Sequence, residues 1–465
     1  MYDVIVIGSG PGGYVAAIRA AQLGFKTAVV ERAELGGICL NWGCIPTKAL
    51  LKSAQALYYA RHAADYGVTL TGEVSPDIAQ MVGRSREVAA GMSKGVAYLM
   101  KKNGIEVIQG TAKILPDKTV TIVGAGFTPT HIGTISAPHI IIATGARARQ
   151  LPSAPIDGVK IIGYREALVP NKIPQSLAII GSGAIGSEFA HFYNAMGAKV
   201  TLIEFLDNIV PLEDEEVSAQ LSRSFRKAGI KVMTSSEVTS VDTSGPLCTL
   251  TVKTKKGEEV IEAEWVLSAV GVTSNIENLG LEGLGVVVER GKIKVDESFQ
   301  TNIPGIYAIG DLLATPALAH VASAEAIHCV EKIAGLHAPR IRYDNIPGCT
   351  YTSPEIASMG LTEKAAKEKN IEIKVGKFPF TASGKAAAAG ERDGFVKLIF
   401  DAATDELLGA HLIGANVTEM ISGLVTARNL GVKGKEIIHS IHPHPTMSEA
   451  IMESAAAAHG EVIHL

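Results

Sequence analysis

The chain has 465 residues, too many for one small core, so two to four domains are expected. Hydrophobic residues make up 47% and charged residues 19%, which excludes a disordered chain and suits buried sheets. A formal net charge of −4 gives no basic footprint for nucleic acid, and no apolar run reaches the ~18 residues of a membrane span.

The chain opens on Val4-Ile-Val-Ile7, an apolar run too short for a helix and ended by glycine, so it reads as a buried parallel strand. Gly8-Ser9-Gly10-Pro11-Gly12-Gly13 follows, then an Ala-rich helical stretch from about Tyr14 to Leu23. A second strand runs from Phe25 to Val30 and ends at Glu31. Strand, glycine turn, helix, strand and acid together form a dinucleotide fingerprint. Gly8 permits the tight turn, Gly10 lets backbone approach a pyrophosphate, and Gly13 allows close helix–strand packing. The helix start offers unpaired N–H groups, and Glu31 offers acceptors to a ribose.

The next signal is Gly36-Gly37-Ile38-Cys39-Leu40-Asn41-Trp42-Gly43-Cys44-Ile45-Pro46-Thr47-Lys48. Five cysteines in all, sparse and odd in number, do not make a secreted disulfide framework. A close pair in a reducing compartment points instead to catalysis or metal binding, and Cys248, Cys329 and Cys349 read as small buried hydrophobes. A regular helix would place residues five apart at ~7.5 Å along its axis. That exceeds the ~4.4–6.8 Å Cα separation of a disulfide. An irregular helix start at Gly43 and Pro46 is therefore predicted, with Lys48 one turn beyond Cys44 and on its face.

Helices are predicted from Ile45 to about His62 and over residues 75–102, hairpin strands from Val107 to Ile122, and a strand over 139–145 that ends in Ala143-Thr144-Gly145. After a Pro/Gly-marked linker the fingerprint returns: Leu177 to Ile180, Gly181-Ser182-Gly183-Ala184-Ile185-Gly186, a helix through Met196, Lys199 to Ile203, and Glu204. The same 23 residues separate first glycine and acid in both copies, so two nucleotide sites are expected. Glu204 repels a 2′-phosphate and no arginine follows it, which favours NAD over NADP at the second site. A strand is predicted from Trp265 to Val270, then a short strand and Gly310-Asp311. From about Asn345 the pattern changes to strands Val396–Phe400 and Leu407–Ile413 with helices Val417–Asn429 and Thr446–Ala458. The fold class expected is α/β, with two Rossmann-like domains and a C-terminal α+β domain.

Disulfide exchange needs a base, and His442-Pro443-His444-Pro445-Thr446-Met447-Ser448-Glu449 is the candidate. The spacing serves two readings equally: Glu449 orienting His444, or Thr446-x-x-Glu449 as a helix capping box.

With these motifs in place the chain resembles the pyridine-nucleotide disulfide oxidoreductases over its whole length. The specific motifs are residues 36–48 and 442–449. Thr47 stands where the family usually has serine, Gly271-Val272 where it has Gly-Arg, and Tyr351-Thr352-Ser353-Pro354-Glu355 where it has Tyr-Thr-His-Pro-Glu, so no contact is carried over to Val272 or Ser353. The resemblance implies an FAD-binding domain (1–147), an NAD-binding domain (148–272), a central domain (273–345) and a dimerisation domain (346–465).

The activity implied is oxidation of protein-bound dihydrolipoamide with reduction of NAD+. Cys39 would be the interchange thiol, Cys44 the thiol beside the flavin, His444 the base, Glu449 its partner, and Lys48 with Glu188 a pair at the flavin. FAD contacts carried over are Gly8 to Gly13, Glu31, Gly37, Cys39, Lys48, Ala112, Thr144, Gly145, Asp311, and Ala317, Leu318, Ala319 and His320. NAD contacts are Gly181, Gly183, Ala184, Ile185, Gly186, Glu188, Glu204, Val238 and Gly271. The implied partners are a second copy of the chain and the lipoyl domain of an acyltransferase subunit or the H protein of glycine cleavage. No metal site is predicted.

No basic leader or Arg-rich presequence precedes the first strand, which predicts a cytoplasmic protein, or a mitochondrial-matrix or plastid one if a presequence was removed. The glutathione-reducing members are the runner-up, but they carry basic residues after the second nucleotide strand. Members with an extra C-terminal cysteine pair differ at the chain end, Glu461-Val-Ile-His-Leu465. The small thioredoxin-reducing members carry C-x-x-C in the nicotinamide domain. A non-catalytic flavoprotein scaffold would need none of Cys39, Cys44, His444 and Glu449.

Overall fold

A computed structural model describes residues 1–124 and 131–465. It forms two compact units: Met1–Leu50, Ala79–Arg149 and Val272–Ile341 in the first, and Leu51–Ile78, Gln150–Gly271 and Arg342–Leu465 in the second.

In the first unit, β1 (Val4–Ile7), α1 (Pro11–Gln22) and β2 (Thr27–Glu31) lead to α2 (Gly37–Trp42), α3 (Cys44–Arg61) and α4 (Ile78–Lys102), α3 belonging to this unit through Leu50 and α4 from Ala79. A five-stranded sheet has the order Ile306–Ala308, His139–Ile142, β1, β2 and β3 (Glu106–Gln109), with every neighbour parallel. Its central strands are buried aliphatics, as a sheet covered on both faces requires. Against it α1 packs on the helix Ala319–Ile333; Ala16, Ala17 and Ala20 on one helix and Ala322 and Ala326 on the other are buried, and a Cβ at Gly12 would lie 3.4 Å from Ala322 Cβ.

One expectation needs correction here. Glu106–Gln109 does not belong to a hairpin: it extends the parallel sheet, with Ala28 beside Glu106 and Glu31 beside Gln109. Only Thr111–Ile114 and Thr119–Val123 form the hairpin, within a three-stranded antiparallel sheet. Gly110 is the joint, where a Cβ would stand 2.7 Å from Val123 O.

The second unit repeats the plan with β4 (Ser176–Ile180), α5 (Ala184–Ala195) and β5 (Lys199–Ile203). Its parallel sheet runs Lys231–Met233, β5, β4, Trp265–Ser268, Ile161–Ile162. The last strand before Gly271 thus ends at Ser268, two residues short of the predicted Val270. A five-stranded antiparallel sheet follows, ordered Gly348–Thr350, Glu355–Gly360, Leu407–Gly414, Phe395–Asp401, Ile373–Pro379. The helix α6 (Glu449–Ala458) lies tight on its edge: a Cβ at Gly376 would be 1.8 Å from Ser454 O. The α/β class with two parallel-sheet nucleotide folds and an α+β region is therefore present. Among the described residues no helix is long and apolar enough to cross a membrane.

Candidate active site

The two glycine turns are built alike. Gly8 has φ +99° and Gly181 φ +96°, torsions that favour glycine, and the N–H groups of both donate at 2.8 Å, to Val30 O and Ile203 O. A Cβ on Gly13 would sit 2.0 Å from Gly8 O, and one on Gly186 2.0 Å from Gly181 O, so helix and turn touch only because the side chain is missing. Gly10 and Gly183 have nothing within 4 Å of a Cβ position, and neither helix start has a side-chain cap. Each turn therefore leaves room beside open helical N–H groups, which fits a pyrophosphate in each copy. In the first copy Gly37 closes over the turn, its Cβ position 2.6 Å from Gly10 Cα.

The acids are held identically as well. Glu31 Oε2 accepts from Ser9 N (2.8 Å) and Ser9 Oγ (2.6 Å), while Oε1 accepts from Ala33 N (2.8 Å). Glu204 Oε2 accepts from Ser182 N (2.9 Å) and Oγ (2.7 Å), and Oε1 from Leu206 N (2.8 Å). Both carboxylates are buried and oriented, and each Oε1 keeps a lone pair for a ribose hydroxyl. From the sequence neither serine is assigned a part in holding the acid, although Ser182 repeats Ser9 at the same place in the motif.

The cysteine stretch breaks as its spacing requires. Cys39 lies in α2, Gly43 (φ −148°, ψ −114°) ends it, and Cys44 is the first residue of α3. Pro46 occupies the first turn of α3, where its missing N–H costs nothing. The Thr47 hydroxyl donates to Gly43 O at 2.7 Å, the contact a serine would make. Cys39 is half-buried and Cys44 exposed, and the Cys39 thiol hydrogen-bonds to Cys44. That bond, then burial, then charge on Cys44 push the Cys39 thiol far up, against the pull of Lys48. A thiolate is therefore disfavoured at Cys39. Cys44, exposed at the start of an 18-residue helix, has the dipole that favours a thiolate.

His444 Nδ1 lies 2.9 Å from Glu449 Oε1, and Thr446 N donates to Glu449 Oε2 at 2.8 Å. Glu449 therefore meets both readings of the motif, but the capping box is only half formed. The helix begins at Glu449 rather than Thr446, and the Thr446 hydroxyl donates to Pro443 O at 2.7 Å instead of capping. Burial pushes the Glu449 carboxyl up, but the Thr446 N–H and His444 outweigh it and hold it below the usual range. An ionised Glu449 accepts, so Nδ1 carries the proton and Nε2 of a 79% exposed imidazole is left as a base. His442 Nδ1 lies 3.0 Å from Ser440 O, a local contact.

The other expected flavin residues all fall in the first unit. The Thr144 hydroxyl donates to Asn275 O at 2.6 Å, and Asn275 Nδ2 to Thr144 O at 3.0 Å, beside Gly145 at φ +65°. Ala112 is buried in the edge strand of the antiparallel sheet. Asp311 follows Gly310, its carbonyl taking Lys292 Nζ (2.7 Å) and Ser274 Oγ (2.6 Å); burial pushes its carboxyl up against the pull of Lys292. Ala317 and Leu318 precede the helix that Ala319 and His320 begin. The expected nicotinamide residues all fall in the second unit, Gly271 with φ +101° and Val238 accepting Ser153 Oγ at 2.9 Å. Glu188 is buried on α5 and accepts Tyr351 N at 3.0 Å, a partner 163 residues away that no local pattern signals. Lys48 belongs to the first unit and Glu188 to the second.

Known proteins match along the whole chain. The profile of the family described as pyridine nucleotide-disulphide oxidoreductase matches residues 2–326, and that of its dimerisation domain matches residues 346–455. The dihydrolipoyl dehydrogenase of Rhizobium etli is 51% identical over 479 residues, covering 100% of this chain and 99% of the relative. That of Bacillus subtilis is 44% identical over 478 residues, with 100% and 99% covered. The crystal structure of LpdA from Mycobacterium tuberculosis superposes with a TM-score of 0.89 at 26% identity, covering 97% of this chain and 99% of that one. Glycine cradles, oriented acids and paired thiols are thus carried by a sequence whose likeness runs end to end, and the chain belongs to the pyridine nucleotide-disulphide oxidoreductases.

Proposed function

We propose that this chain is a dihydrolipoyl dehydrogenase, oxidising protein-bound dihydrolipoamide to lipoamide while NAD+ becomes NADH. The observation that carries the reading is the thiol pair divided between α2 and the start of α3, in a chain 51% identical to such an enzyme over its full length. FAD is its cofactor and NAD+ its co-substrate. Residues 8–13, Glu31, Gly37, Lys48, Ala112, Thr144, Gly145, Asp311 and 317–320 would hold the first. Residues 181–188, Glu204, Val238 and Gly271 would hold the second. We assign 1–147 to the flavin domain, 148–272 to the nicotinamide domain, 273–345 to the central domain and 346–465 to the interface domain.

In the proposed exchange, His444 Nε2 takes a proton from the substrate dithiol. The resulting thiolate attacks Cys39 Sγ; the Cys39–Cys44 bond breaks and Cys44 leaves as a thiolate at the start of α3. The second substrate thiol gives up its proton and displaces Cys39, which keeps one proton, so lipoamide departs with the single S–S bond. Bound FAD supplies the two-electron relay from the reduced pair to NAD+, and the balance is one hydride to NAD+ and one proton to solvent. Glu449 holds His444 in the tautomer this needs. The enzyme would act as a homodimer in the cytoplasm, on lipoyl domains of 2-oxoacid dehydrogenase or glycine cleavage complexes.

The test compares dihydrolipoamide with NAD+ against glutathione disulfide with NADPH. Turnover of the first pair, lost in Cys44→Ser, is expected; turnover of the second pair alone would overturn the reading.

A further inference from the structure

The helix α2 has only six residues, too few to hold itself, yet it carries Cys39. Polar side chains hold it. Asn41, 4% exposed, donates from Nδ2 to Leu35 O (2.9 Å) and Gly37 O (3.0 Å). The Ser93 hydroxyl on α4 lies 3.0 Å from Asn41 Oδ1 and also reaches Leu35 O. Arg86, one residue past Ser85 on the same helix, donates to Asn41 O and spreads its guanidinium over Trp42, 4.4 Å from the ring centroid. An open cleft of about 450 Å³, lined partly by Leu35, Trp42, Ala90 and Ala97, adjoins this cluster, so apolar packing does not wedge α2 in place from that side.

The same helix grips α3 separately. Ser85 Oγ donates to Pro46 O (3.1 Å) and Arg84 Nη1 to Ala49 O (2.8 Å). Gly43 is the single residue between α2 and α3. α4 is thus a common ruler: Arg84 and Ser85 fix the Cys44 side, and Arg86 and Ser93 fix the Cys39 side. We propose that Asn41, Ser93 and Arg86 are positioning residues that hold Cys39 against Cys44 and thereby set the reactivity of the redox pair. This rests on the reading of Cys39 and Cys44 as that pair. Release of α2 separates the two sulfurs, and Cys39 then loses the hydrogen bond to Cys44 that disfavours its thiolate.

The experiment uses the reduced flavin-loaded enzyme without oxygen, treated with iodoacetamide at neutral pH, with Cys39 and Cys44 alkylation followed by peptide mass spectrometry. In Ser93→Ala and Arg86→Met, alkylation of Cys39 relative to Cys44 should rise about three- to tenfold, the effect of one lost hydrogen bond. Ser93→Thr should restore the wild-type ratio, because it returns the hydroxyl. A ratio within twofold of wild type in whichever of the two variants keeps its flavin would overturn the proposal, even if melting temperature falls. So would a Ser93→Thr variant whose ratio departs from wild type. Alkylation needs no dihydrolipoamide turnover: an altered ratio in an enzyme inert to dihydrolipoamide would sink the substrate reading alone, and an unaltered ratio in an active one would sink the positioning role alone.

Discussion

Glu449 spends one oxygen on His444 and the other on the Thr446 N–H, and both contacts need an acceptor. Glutamine has one acceptor oxygen and must present N–H to the other partner. Glu449→Gln should therefore lose one of the two contacts and misplace the imidazole. Dihydrolipoamide turnover should drop about 10²-fold, the usual worth of a positioned general base. NADH oxidation by ferricyanide, which has no thiol step, should keep its rate; an equal fall in both would place Glu449 outside the exchange. At this scale the sequence was most legible where chemistry is local. Gly8, Gly13 and their counterparts could be read because a backbone approach to 2.0 Å admits no side chain. Glu188 was named, but its contact with Tyr351 N could not be, since nothing within 163 residues points to it.

Short buried strands and the break at Gly43 were legible as elements, because periodicity and disulfide geometry are both properties of neighbours. Strand partners were not: residues 106–109 joined the parallel sheet through Ala28 to Glu31, a choice made by tertiary packing. The start of the helix Glu215–Lys227 shows another feature hidden from sequence. Lys397, 1% exposed, sits among Asp214 (2.8 Å), Glu216 (2.9 Å) and Glu363 (2.5 Å). Lys397→Met would leave the buried Asp214 carboxylate without its cation, a loss of about 3 kcal/mol. Thermal unfolding should begin about 10 °C lower, and an unchanged melting temperature would show that the cluster contributes nothing. Beside it, Glu213 Oε2 is buried without a hydrogen-bond partner among the described residues. Burial, with Asp214 adding to it, pushes this carboxyl from 4.5 up to about 7 despite Ser358. The folded chain then keeps a proton that the unfolded chain has lost. The resulting stability is full below about pH 4.5 and disappears as pH rises towards 7. Glu213→Gln should flatten the fall in melting temperature between pH 5 and 7.5; a slope equal to wild type would refute the assignment.

Across the whole molecule, the residues expected to hold flavin fall in one unit and those expected to hold the nicotinamide nucleotide fall in the other. His444, the proposed base, lies within residues 346–455, which match the dimerisation domain, and not in the unit that holds Cys39 and Cys44. If His444 of one copy serves the cysteine pair of the other, two inactive variants should rescue each other. Cys44→Ser keeps the histidine, and His444→Gln keeps the thiols. A mixed dimer then has one site with both groups intact and one site with neither. Random exchange of subunits from an equal mixture makes half of the dimers mixed, so activity should recover to about a quarter of wild type. The measurement is dihydrolipoamide turnover before and after subunits are dissociated and reassociated together, with each variant treated alone as the reference. A site built within a single chain gives no recovery at all, because no chain in the mixture carries both groups.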